Sequence, residues 1–132
     1  MKKYDQNGNL ICVVHRKLDW KKGLDFVTSD EEFIQLGTWW YDKGKILDRH
    51  YHNEFERTAL RTCECTYVVS GSMKVDLYDL EKVFLDSFEL GEGDCAAFFS
   101  GGHGYEILAD DTRILETKNG PFLGVDKDKT RF

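Results

Sequence analysis

Between two glycines the chain reads Gly44-Lys45-Ile46-Leu47-Asp48-Arg49-His50-Tyr51-His52, then eleven residues, then Glu64-Cys65-Thr66-Tyr67-Val68-Val69-Ser70-Gly71. Side chains of a β-strand alternate between faces, so a strand from Lys45 to His52 puts Ile46, Asp48, His50 and His52 on one side. Leu47, Arg49 and Tyr51 take the other. Two imidazoles one residue apart then converge on one point, and neutral imidazole suits Zn, Cu, Fe and Ni. The next run, Thr62 to Ser70, also reads as a strand, with Glu64, Thr66 and Val68 on one face and Cys63, Cys65, Tyr67 and Val69 on the other. Glu64 is there to add a carboxylate. His103, far along the chain, is the best placed remaining histidine to complete a shell of His50, His52, Glu64 and His103 around about one divalent transition metal per chain. Zn, Fe, Mn and Ni all fit such a shell. Asp48 is a candidate to orient one of the imidazoles.

The spacing of Gly44, His50, His52, Glu64 and Gly71 resembles the first motif of the cupin superfamily: Gly, five residues, His-x-His, three or four residues, Glu, six residues, Gly. Both flanks match, while the middle gap is longer, and Asn53 to Cys63 is read as an extended hairpin between two ligand strands. Glu56 stands at the usual distance from His52, but Cys63 occupies the place of its glycine, whereas Glu64 keeps Gly71. A second, degraded motif runs through Gly93, Phe99, Gly101, His103 and Ile107. Ser100-Gly101-Gly102-His103-Gly104-Tyr105-Glu106 and Lys118-Asn119-Gly120-Pro121-Phe122 are similar to segments of small cupins encoded with surface-polysaccharide genes. The resemblance implies an all-β jelly roll (double-stranded β-helix). It also implies a single cupin domain over residues 1–132, its barrel core at about 37–118.

The rest of the chain agrees with an all-β reading. Alternation or apolar runs mark strands at Leu10 to His15, Asp25 to Thr28, Gly37 to Tyr41, Met73 to Tyr78, Val83 to Leu90, Cys95 to Phe99, Tyr105 to Leu108 and Arg113 to Lys118. Turn clusters separate them: Asp5 to Asn9, Ser29 to Glu32, Asp79 to Lys82, Gly91 to Asp94 and Asp110-Asp111. Many short strands with a single proline fit a sandwich or barrel. His15 is read as a surface or pairing residue, with a ligand role as the alternative. Trp39, Trp40 and Tyr41 suit a strand buried on both faces or a subunit contact. The charged tail from Asp126 to Arg131 is read as surface.

Composition narrows the functions. Hydrophobic residues make up 41% of the 132, enough for one folded core. A net charge of −6 argues against nucleic acid or an anionic membrane as partner. No apolar run reaches the length of a membrane span, and no signal segment follows Met1. Four cysteines without a C-x-x-C pair read as reduced, buried thiols of a cytoplasmic protein. The aromatic group Trp39, Trp40 and Tyr41 and the apolar outer face of the Glu64 strand exceed what one small sandwich needs and point to a homodimer.

For function, the resemblance implies a metal-binding pocket for a small molecule, a sugar or sugar nucleotide, with isomerase or epimerase chemistry. Two alternatives stand beside it: a dioxygenase acting on a small acid, and a binding module without turnover. A metal-free route uses His103 as base and Tyr105 as acid, because both lie on one face if their run is strand.

Overall fold

The computed structural model describes residues 1–132. Ten strands and one short helix follow in order. They are β1 (Lys2–Tyr4), β2 (Leu10–His15), β3 (Gly23–Phe26), β4 (Gly37–Trp40), β5 (Glu64–Ser70) and β6 (Ser72–Tyr78). Then come β7 (Phe84–Gly91), β8 (Cys95–Phe98), β9 (Gly102–Ile107), β10 (Arg113–Lys118) and α1 (Val125–Asp128). A five-stranded sheet has the order β1-β2-β8-β5-β10, and a three-stranded sheet the order β7-β6-β9. β3 and β4 form a separate hairpin, and all pairings are antiparallel. The all-β reading holds, and β2 and β10 have the limits read from the sequence.

The core lies between the two larger sheets. Cys12, Val14, Val68, Ala96 and Phe98 come from one sheet; Met73, Val75, Leu77 and Leu90 from the other. In β6 the alternation is clean: Met73, Val75 and Leu77 are buried, while Lys74 and Asp76 between them are partly exposed. Each such apolar side chain contributes about 1.5–3 kcal/mol on leaving water. β2 is buried on its other face too. There Val13 and Ala97 pack in a second cluster with Cys63 and Phe99, against Leu10, Val27, Ile34 and Leu36. That double burial explains the continuous apolar run of β2.

Gly71 carries the chain from β5 to β6, from one sheet to the other, with φ 78°. A Cβ there would lie 2.2 Å from the Thr112 hydroxyl, so only glycine fits. At the N-terminus, β1 adds an edge strand that the sequence reading lacked. The Met1 amine donates to the Val14 carbonyl at 2.6 Å, and Lys3 pairs with Asp86 of β7.

Three local expectations are corrected. Residues 45–52 form no strand, and Asn53 to Cys63 forms no hairpin; every residue from 41 to 61 is exposed. The cause is competition for an edge: β5 already has β8 on one side and β10 on the other, so no place beside it remains. Seven of the twelve residues from Lys45 to Glu56 are charged or histidine, which favours water over a sheet interior. Trp39 and Trp40 are not buried on both faces but are 56% and 44% exposed. His15 is not at the surface. It is buried opposite Cys95, edge-on to Trp20 at 6.1 Å, with both ring nitrogens unpartnered.

Candidate active site

Glu64 opens β5 at an inward position, aligned with Phe98 of β8 and Lys118 of β10. It is 5% exposed, and a carboxylate so placed needs donors to stay charged. They come from the opposite sheet. His103 and Tyr105 lie two residues apart on β9, hence on one face, and both reach the same carboxylate oxygen. His103 Nε2 is 2.8 Å from Glu64 Oε1, and the Tyr105 hydroxyl donates to Oε1 at 2.9 Å. The buried Phe98 ring backs the pair, 4.6 Å from the His103 ring and 5.9 Å from that of Tyr105.

The electrostatics follow from this geometry. Burial pushes the Glu64 carboxyl upward, but the hydrogen bond and charge of His103 and the hydrogen bond of Tyr105 outweigh it. The group is held below its ordinary range. Burial and the Glu64 charge drive the Tyr105 phenol upward, so it stays protonated and remains a donor. When His103 is neutral, an Nε2–H bonded to Oε1 leaves Nδ1 with the free lone pair.

Glu64, Phe98 and His103 line a cavity of 370 Å³. Arg61, Ser100, Gly101 and Gly102 form another part of its wall, and the C-terminal residues Asp128, Lys129, Thr130 and Phe132 a third. Gly101 has φ 71°, and a Cβ there would lie 2.3 Å from the Tyr78 carbonyl oxygen, so the loop entering β9 depends on glycine. Asp126 to Arg131 lies at the surface as read, all exposed but the half-buried Asp128, and its part in the cavity wall is what the sequence did not reveal. Its tie is a long-range hydrogen bond from the Thr62 hydroxyl to Asp128, for which local sequence carries no signal.

The four expected metal ligands are not brought together. Glu64 and His103 touch, whereas His50 and His52 stand on the exposed 41–61 segment with their rings 5.4 Å apart. His50 Nδ1 lies 3.1 Å from the Asp48 carbonyl oxygen, so Asp48 meets the imidazole through its backbone and not its carboxylate. No three His, Cys, Asp or Glu side chains are grouped to hold a metal ion, and Glu64 Oε1 is already engaged twice. The residues as arranged do not fit the metal that the cupin resemblance implies. All four cysteines are free thiols, three of them buried. No helix is long and apolar enough to cross a membrane. Comparison with protein-family models, with curated proteins and with solved structures finds no match for this chain.

Proposed function

We propose that the chain is a small-molecule isomerase or epimerase whose pocket moves a proton with His103. The observation that carries this reading is the buried Glu64 carboxylate, which fixes an imidazole at the wall of a cavity. In this scheme Glu64 orients His103 and stabilises the imidazolium that forms, and Tyr105 holds Glu64 in place. Nδ1 of His103 takes a proton from a carbon next to a carbonyl, leaving an enolate or enediolate. Returning the proton to the neighbouring, former carbonyl carbon completes an isomerisation once the hydroxyl proton has passed between the two substrate oxygens; delivery of a solvent proton to the opposite face of the original carbon, with the His103 proton lost to solvent, completes an epimerisation. Hydroxylated, sugar-like substrates suit the mixed lining of polar groups and the aromatic rings of Phe98 and Phe132.

The fold expected from the cupin resemblance, a jelly roll, belongs to the same proposal. Its support is the way the chain alternates between sheets: β5 in the larger, β6 and β7 in the smaller, β8 in the larger, β9 in the smaller and β10 in the larger. Free buried thiols support a reducing compartment such as the cytoplasm. A homodimer is supported by exposed Trp39, Trp40, Tyr67 and Leu115, and by Ile46, Tyr51, Phe55 and Leu60 on the 41–61 segment.

The test is solvent exchange. A panel of aldoses, ketoses, their phosphates and sugar nucleotides is incubated with the protein in deuterated water, and loss of substrate C–H signal is followed by NMR. Exchange into at least one substrate, abolished by His103→Gln, supports the reading. Exchange in none, or exchange unchanged in His103→Gln, removes it.

A further inference from the structure

The charges around the cavity are not matched among themselves. Its two carboxylates are served by donors from within the protein: Glu64 by His103 and Tyr105, Asp128 by the Thr62 hydroxyl. Its two cations have no carboxylate partner. Arg61 Nη1 is tethered to the Ser100 hydroxyl at 2.6 Å, and neither Arg61 nor Lys129 enters any ion pair. The Lys129 charge reaches the site, since it helps hold the Glu64 carboxyl low. The other oxygen of Asp128 is buried with no donor.

The segment that brings Lys129 to the cavity is anchored beyond it. The Phe132 ring meets Tyr78 edge-on at 5.2 Å, with Lys82 Nζ 5.6 Å from its centre. It also lies against Gly102, where an added Cβ would be 2.9 Å from the ring. Gly102 has no left-handed φ, so its lack of a side chain serves the close approach of Phe132.

We infer that Asp128 to Phe132 is part of the binding site, and that Arg61 and Lys129 hold the phosphate or carboxylate of a small hydroxylated ligand. Only the placing of its reacting end against His103 rests on the acid–base reading; the anion subsite stands without it. Glu64 and Asp128 offset Arg61 and Lys129 in number, but neither cation is paired, so each is free to bind an anion directly. The net charge of −6 opposes it at long range, so affinity for a fragment falls in the millimolar range and is measured by NMR.

The probes are glycerol 3-phosphate, glycerate and glycerol, titrated into ¹⁵N-labelled protein. Saturable shifts of the Gly101, Gly102 and Thr130 amides are expected with one or both anions and not with glycerol; which anion binds separates phosphate from carboxylate. Lys129→Ala and Arg61→Ala each weaken binding at least fivefold. Gly102→Ala, which displaces Phe132, weakens it as well, and His50→Ala, on the exposed 41–61 segment, leaves it unchanged. A chain ending at Lys127, its spectrum otherwise intact, loses binding; should it fail to fold, Lys129→Ala carries the test alone. Shifts scattered over surface lysines and unchanged in Lys129→Ala, or no shift with either anion, overturn the inference. Anion binding as described with no deuterium exchange in any substrate removes the acid–base reading and leaves the subsite. Exchange into an anionic substrate with KM unchanged in Lys129→Ala does the reverse.

Discussion

Replacing Glu64 by glutamine tests the centre of the site with little change of shape. The carboxylate oxygen Oε1 takes hydrogen bonds from His103 and Tyr105 at 2.8 and 2.9 Å. A hydrogen bond to a charged group contributes about 1.5–3 kcal/mol against about 1 kcal/mol for a neutral pair, so the two bonds together lose roughly 2–3 kcal/mol. Relief of the cost of burying a charge returns part of this, on the order of 1 kcal/mol. The sign is settled by the Glu64 carboxyl itself: its range is lowered on folding, so the folded site favours the ionised form despite burial. The expected net loss is about 1–2 kcal/mol, a fall in Tm of roughly 4–8 °C for a chain of this size. The difference also has a pH dependence. A carboxyl lowered on folding contributes its stability fully above its unfolded range, about pH 4.3, and loses it as pH falls through the folded value. Thermal unfolding of both proteins by circular dichroism, from about pH 7 to about pH 3, reads the gap. It should be full at the neutral end and narrow toward the acid end. A variant as stable as the wild type near neutrality, or a gap that persists unchanged to the acid end, would refute the reasoning.

Other outcomes follow from the same structure. Tyr105→Phe removes one donor to Glu64 but leaves His103 in place, so deuterium exchange should fall less than tenfold; a loss as deep as that of His103→Gln would make Tyr105 the acid. Gly101→Ala forces a φ of 71° on a residue with a side chain and drives its Cβ toward the Tyr78 carbonyl. It should cost at least about 2 kcal/mol in denaturant unfolding. Sedimentation at micromolar concentration should show a dimer, and the paired changes Trp39→Ser and Trp40→Ser should shift it to monomer; a wild type that is only monomeric counts against the exposed aromatics as an interface. Because His50 and His52 stand apart from Glu64 and His103, the double change to alanine should leave pocket binding unaltered. One tightly bound metal per wild-type chain, lost in that variant, would restore the four-residue shell.

Some of this was legible because it is local. Alternation in Met73 to Tyr78 and the apolar run of Leu10 to His15 fixed strands whose faces the structure reproduces. The spacing of His103 and Tyr105 placed both on one side of their strand, and both do meet Glu64. The His50-x-His52 run has the same local alternation, and there the inference failed, because a strand needs a neighbour as well as a pattern. β10, more than forty residues downstream, takes the edge of β5 on which that hairpin was expected, pairing Lys118 with Glu64. No spacing motif records which of two segments wins an edge. The C-terminal wall was hidden for a related reason: Lys129 and Phe132 have no periodicity, and Phe132 is held by distant Gly102 and Tyr78. What did point across the fold was a polarity mismatch. Glu64 is the one charged residue at an inward position of its strand, between buried Cys63 and buried Thr66. A carboxylate there must either lose its charge or draw donors from the facing sheet. The facing strand offers two donor side chains two residues apart, and one oxygen binds both. The site is therefore where an unbroken burial pattern in β5 carries a charge, and the residues that answer that charge are those with chemistry to perform.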